Sequence, residues 1–120
     1  MADFNHVYMG SLVKRAQHKD SDAFAELYAL TYKHIYQYAC HYLKNTDTAQ
    51  DAVQDIYILA LKNIDNIKDV TLFVAWLNQI AFHVCYDICK KIISNTEKLL
   101  QSFWMFFQMN TRPIIRNIIY

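Results

Sequence analysis

The sequence predicts an all-α protein, a three-helix bundle followed by a C-terminal helical tail. Two observations carry that prediction. The 120 residues hold a single glycine and a single proline, so hairpin turn chemistry is almost missing. Apolar side chains also recur three and four positions apart in several long runs, the spacing that lines one face of a helix. A 54% hydrophobic composition in a chain of this length is ample for one buried core.

Taken in order, residues 1–9 read as loose, and Gly10 to Gln17 suits a short helix bearing Leu12, Val13 and Ala16. The cluster Asp20-Ser21-Asp22 supplies side-chain oxygens that cap free amides, which starts a long helix reaching about Leu43. Its apolar stripe is Phe24, Leu27, Thr31, Ile35, Tyr38 and Tyr42. Lys44-Asn45-Thr46-Asp47 is a polar turn with a new cap, and the second long helix covers about Asp47 to Ile64, with Ala49, Val53, Ile56, Ala60 and Ile64 inward. "DNIKDVT", residues 65–71, breaks the pattern. Phe73, Trp76, Leu77, Ile80, Val84 and Ile88 then define a third long helix that ends near Lys90-Lys91, where cations suit the negative helix end. Ser94 or Asn95 is expected to cap a separate tail helix to about Met109, with a break at Pro113. The chain therefore divides into a helical domain, 1–91, and an apolar tail, 92–120.

Composition narrows the function. Twelve Lys and Arg stand against eleven Asp and Glu, a formal net charge of +1, so nothing global draws this chain to nucleic acid and any such surface is local. Cys40, Cys85 and Cys89 form an odd set without a C-x-x-C, which argues for buried thiols in a reducing compartment and against a disulfide framework. Cys85 and Cys89 with His83, or with His34 and His41, match no recognised zinc spacing, so no metal or cofactor is expected. The N-terminus lacks a basic region followed by an apolar run, and the most apolar segment, Leu99 to Met109, falls far short of the roughly 20 residues that span a bilayer. A cytoplasmic protein with no membrane partner is expected. No paired carboxylates, nucleophile motif or glycine-rich phosphate loop occurs, which speaks against an enzyme.

Two faces do not read as plain core or plain solvent. On the second long helix Asp51, Asp55, Ile58 and Lys62 share one stripe with Gln54 at its edge, either a solvated face with one stray isoleucine or a docking surface for a basic partner. On the third, Ala75, Gln79, Phe82, Tyr86 and Lys90 lie away from the core stripe, with Asn78 and His83 at the margins. Rings, amides and cations together suit unpaired nucleic acid. They also suit a groove that the tail's Phe103, Trp104, Phe106 and Phe107 cover, the reading that composition alone favours.

Three segments then resemble region 2 of bacterial RNA polymerase sigma factors, in particular the extracytoplasmic-function (ECF) group of the sigma-70 family. "DAFAELYALTYKHIYQYACHYL" at 22–43 is similar to the opening helix of that region. "DTAQDAVQDIYILAL" at 47–61 is similar to its acidic helix, with D-x-A-x-D-x-V-Q followed by an acid and, two positions on, an aromatic. "LFVAWLNQIAFHVCYDICKK" at 72–91 resembles F-x-x-W-L-x-x-I-A and the stretch after it. The resemblance covers about 20–91, in order.

The resemblance implies a bundle whose acidic helix docks on the clamp coiled coil of the largest subunit of core RNA polymerase, giving Asp51, Gln54, Asp55 and Ile58 that role. It implies that the loop 66–71 and the start of the third helix capture the unpaired non-template strand of the promoter element nearest the start site. Lys68, Asn78, Gln79, Phe82, His83, Lys90 and Lys91 are the residues placed for it, while Phe73 and Trp76 face inward. It admits an inhibitory anti-sigma protein as a further partner. The chain departs from the family at Phe82-His83, where an Arg-Asn pair is usual, and in having only two lysines after Asp87. Residues 92–120 show no helix-turn-helix pattern. The rival reading is a helical protein–protein interaction module, a truncated or degenerate sigma-like protein whose tail covers the DNA face.

Overall fold

The computed structural model describes the backbone of residues 4–119 and the side chains of residues 4–105. The described residues form four α-helices and two single 3-10 turns, without a strand. They run as α1 (His6–Gln17), α2 (Ser21–Leu43), α3 (Thr46–Asn63), turns at Ile64–Asn66 and Val70–Leu72, and α4 (Phe73–Ile119). The all-α prediction holds. Two units are distinct, one ending at Asp87 and one beginning at Ile88.

Side-chain caps set the starts. The first turns leave amides without intrahelical acceptors, and short polar side chains just outside each helix supply them. Asn5 Oδ1 accepts from the Tyr8 amide at 3.0 Å, Asp20 Oδ1 from Asp22 and Ala23 at 3.1 and 3.2 Å, and Asn45 Oδ1 from Thr48 at 2.9 Å. The cap at Asn5 corrects the expectation of a loose 1–9: α1 begins at His6 and buries Met9, while residues 1–3 lie outside the described residues. Arg15 closes the next corner, its guanidinium 2.9 Å from the Asp20 carboxylate, which holds that carboxyl below its usual range.

α2 ends on Lys44 in the left-handed region at φ 58°, its amide reaching the Cys40 carbonyl at 2.9 Å. Lys19, at φ 68°, turns the chain between α1 and α2 the same way. Each lysine holds a conformation that costs a non-glycine residue about 1–2 kcal/mol.

Within the first unit α2 packs against both α1 and α3. Leu12, Val13, Leu27, Ile35, Ile56 and Leu77 are fully buried, and each contributes about 1.5–3 kcal/mol of transfer free energy. At the helix contacts, small residues do what the sequence assigned to larger ones. Ala23, Ala39, Ala52, Ala81 and Cys85 are buried, whereas Phe24, Tyr38, Tyr42, Trp76, Ile80 and Ile88 are half-buried. Close approach of two backbones needs a short side chain on the line of contact, which pushes the bulky neighbours to its rim.

A pair of hydroxyls sits inside. Thr31 Oγ1 donates to the Leu27 carbonyl at 2.7 Å and lies 2.6 Å from the Tyr57 hydroxyl, so every buried side-chain polar atom of the described residues is satisfied.

The tail differs from the expectation. No cap forms at Ser94 or Asn95; both lie inside α4, which continues through Lys90-Lys91 and through Pro113 to Ile119. Residues 88–112 contain neither glycine nor proline, so nothing there offers the chain an alternative to the helix, and Pro113 removes one amide donor without adding a turn.

Candidate polymerase- and DNA-binding surfaces

α3 owes its two faces to a 3.6-residue repeat. Ala49, Ala52, Val53, Ile56, Tyr57 and Ala60 are buried, while Asp51, Gln54, Asp55 and Ile58 all stand in solvent. Ile58 keeps 51% of its surface exposed. Among the described residues the ion pairs are Arg15–Asp20 and Lys19–Asp65, so the Asp51 and Asp55 carboxylates have no internal cation. Leu61, 57% exposed, lies three positions beyond Ile58 and one turn further along the same side as Gln54. The sequence reading passed over it. Its spacing from Ile58 was the available signal, hidden because an isolated leucine near a helix end ordinarily reads as core.

The segment joining α3 to α4 is held from both sides. Gln17 of α1 donates its side-chain amide to the carbonyls of Ile64 and Ile67 at 2.9 and 3.2 Å. Asp69 Oδ1 accepts from the amide and hydroxyl of Thr71 at 3.1 and 2.6 Å, bonds that lower the Asp69 carboxyl, the hydroxyl's foremost. α1 runs against the Val70–Leu72 turn at the chain's single glycine. A Cβ on Gly10 would meet Val70 Cγ2 at 3.2 Å, so a larger residue would push this turn outward. Lys68 and Leu72 remain exposed on the segment, while Phe73 is 1% exposed and Trp76 half-buried, their rings 5.9 Å apart.

Along the outer side of α4, Ala75, Gln79, Phe82, His83 and Tyr86 are exposed. Their rings are ordered. Phe82 stacks on Tyr86 at 6.0 Å and 19°, and meets Tyr42 of α2 edge-on at 6.2 Å and 86°. Asn78 stands apart from the other predicted contact residues. It is half-buried, and its side-chain oxygen is 3.1 Å from His34 Nε2, a ring that Phe4 meets edge-on. The amide expected to read a base is thus committed to joining α2 to α4, which sequence periodicity alone does not reveal. Lys90 and Lys91 are exposed and belong to the second unit.

Burial pushes the Cys85 thiol up to about 11, which leaves almost no thiolate at neutral pH. Among the described residues no three His, Cys, Asp or Glu side chains come together to hold a metal.

Residues 27–92 match the Sigma-70 region 2 family. The chain belongs to that family. It is also similar to the ECF RNA polymerase sigma factor SigW of Bacillus subtilis (strain 168), 33% identical over 79 residues. That similarity covers 66% of this chain and 42% of the relative, so the chain spans less than half the length of the protein it matches. No solved structure matches. Membership in the ECF sigma-70 group through its region 2 accounts for α2, α3 and the first five turns of α4; α1 contributes the support beneath the joining segment.

Proposed function

We propose that this region 2 domain seats on core RNA polymerase through α3 and contacts the promoter element nearest the start site, supporting promoter opening in transcription initiation. The observation that carries the reading is the uncovered ridge on α3. An apolar centre made by Ile58 and Leu61, rimmed by Asp51, Gln54 and Asp55, has the anatomy of a protein interface, and its unpaired carboxylates suit a basic partner. The partner is the clamp coiled coil of the polymerase's largest subunit.

Single-stranded non-template DNA is the second partner. Lys68 on the joining segment, with Gln79, Phe82 and His83 on α4, offers stacking and polar groups, and Lys90 and Lys91 follow along the chain to neutralise phosphate. Asn78 acts here through its bond to His34, as a strut. Strand separation on this account uses binding energy for the unpaired strand, so the protein is not an enzyme and works in the cytoplasm, where an anti-sigma protein is a natural competitor for the same ridge. The functional division is a domain at 1–91 and a separate tail at 92–120.

Capture of core polymerase by the full chain tests the docking. Asp55→Lys reverses a rim charge without touching the core and is expected to abolish most of the capture. Equal capture by both proteins would remove the ridge from the account.

A further inference from the structure

The second unit carries an apolar face that neither polymerase docking nor strand binding uses. From Lys90 to Met105 the helix is two-sided. At about 100° per residue, Leu99, Ile92, Phe103, Leu100, Ile93 and Trp104 fall within an arc of about 140°, together with Thr96. The opposite side holds Lys90, Lys91, Ser94, Asn95, Glu97, Lys98, Gln101 and Ser102, with Met105 its sole apolar member. The apolar side faces solvent: Leu99 is 71% exposed, Leu100 60% and Phe103 64%. An apolar strip of this length left in water marks a contact surface.

Charge decides what it meets. Residues 88–120 carry Lys90, Lys91, Lys98, Arg112 and Arg116 against Glu97 alone, a net of +4, whereas residues 1–87 carry seven cations against ten anions, a net of −3. The near-neutral whole conceals two halves of opposite sign. Pairing this segment with the same segment of a second copy would bring like charges together. An anionic bilayer surface instead takes the cations at its headgroups and the Phe, Trp, Leu and Ile side chains at the acyl boundary.

We infer that the stretch from Lys90 to Met105 forms an amphipathic anchor that lies on anionic lipid surfaces. The stretch Val70–Met105 is long and apolar enough to cross a membrane by length and composition. Its crossing is not what the pattern supports, because Lys90, Lys91, Glu97 and Lys98 interrupt it and the arrangement is two-sided instead of uniformly apolar. The expectation of no membrane partner rested on spanning alone; lying in the interface requires only one apolar face.

The test is co-sedimentation of the full chain with vesicles of phosphatidylcholine containing about a third phosphatidylglycerol, against vesicles of phosphatidylcholine alone. The expected result is partitioning at least about 10-fold stronger to the anionic vesicles, weakened by salt. Lys98→Glu, a change of two charges, should weaken it by a further factor of about 10 or more. Leu99→Asp with Leu100→Asp should abolish it. Circular dichroism and capture of core polymerase, read on the same variants, report the fold and the α3 docking separately, so the anchor and the polymerase reading stand or fall independently. Equal partitioning to both vesicle types, or none to either, overturns the inference. So does concentration-dependent self-association that the leucine changes abolish in a protein showing no lipid binding, which would assign the strip to a second copy.

Discussion

Truncating Ile58 to alanine separates a docking residue from a core residue, and its size can be worked from the structure. A fully buried isoleucine contributes about 1.5–3 kcal/mol, and Ile58 already hides roughly half of its surface, leaving 51% for a partner to cover. Ile58→Ala should therefore cost about 1 kcal/mol of affinity for core polymerase, a 5- to 10-fold rise in Kd. The fold should be indifferent. Exposed substitutions stay within about 0.5 kcal/mol, and alanine is the better helix former. Two residues earlier on α3 the reverse holds: Ile56 is fully buried, and Ile56→Ala should cost about 2–5 kcal/mol of stability through the cavity left behind. The assay is an anisotropy titration of labelled protein with core polymerase, paired with urea denaturation of each variant. If Ile58→Ala binds within two-fold of the parent, or loses stability as Ile56→Ala does, the assignment of this face to a partner is wrong.

Other consequences follow from the interior and the caps. Thr31→Val should cost about 1–3 kcal/mol, because it strands the Tyr57 hydroxyl, whereas Tyr57→Phe should cost about 1 kcal/mol, since Thr31 keeps its bond to the Leu27 carbonyl; urea melts that rank them the other way would contradict the network. Burial pushes the Tyr57 phenol from 10.0 up to about 12, so the folded state retains a proton that the unfolded chain has released, and stability contributed below pH 10 should fall by about 1.4 kcal/mol per unit as pH rises from 10 to 12. Tyr57→Phe should reduce that slope, leaving the part due to the Cys85 thiol, which burial likewise raises to about 11, measured by denaturation across the range. Lys44→Gly relieves a left-handed lysine at φ 58° and should raise stability by about 0.5–1 kcal/mol, visible as a higher thermal midpoint. Phe82→Ala removes the ring that joins Tyr42 and Tyr86 and should weaken binding of a single-stranded promoter oligonucleotide, in the polymerase complex, by about 1–3 kcal/mol.

The helices of the first unit were legible because each is specified locally. Asp20 and Asn45 are caps that need only the next three residues, and the inward positions of α3 repeat regularly enough that Ala49, Val53, Ile56, Ala60 and Ile64 were all assigned inward and are all buried. The exposed ridge followed by subtraction. What escaped depends on residues distant in the chain. Asn78 looked like a solvent-facing amide until His34, 44 positions earlier, came within hydrogen-bond reach. Gln17 gave no hint that it fastens carbonyls at 64 and 67, and the single glycine at position 10 proved to be a close approach to Val70 and Thr71. Helix faces were harder where alanine and bulky aromatics alternate, since Ala39 and Ala81 took the contact line that Tyr38 and Ile80 were expected to hold. The tail misled for a different reason. Polar caps such as Ser94 and Asn95 start a helix only where the preceding chain has stopped being one, and nothing before them stops it.

The most direct measurement is a photo-crosslink from α3. A benzophenone side chain placed at Gln54, beside Ile58 on the exposed ridge, should form an adduct with the clamp coiled coil of the polymerase's largest subunit when the full chain is mixed with core enzyme. The same group at Gln37, exposed on α2, serves as the comparison and should give little. An adduct that maps to another subunit, or equal labelling from both positions, would contradict the claim that this acidic, apolar-centred face is where the polymerase sits.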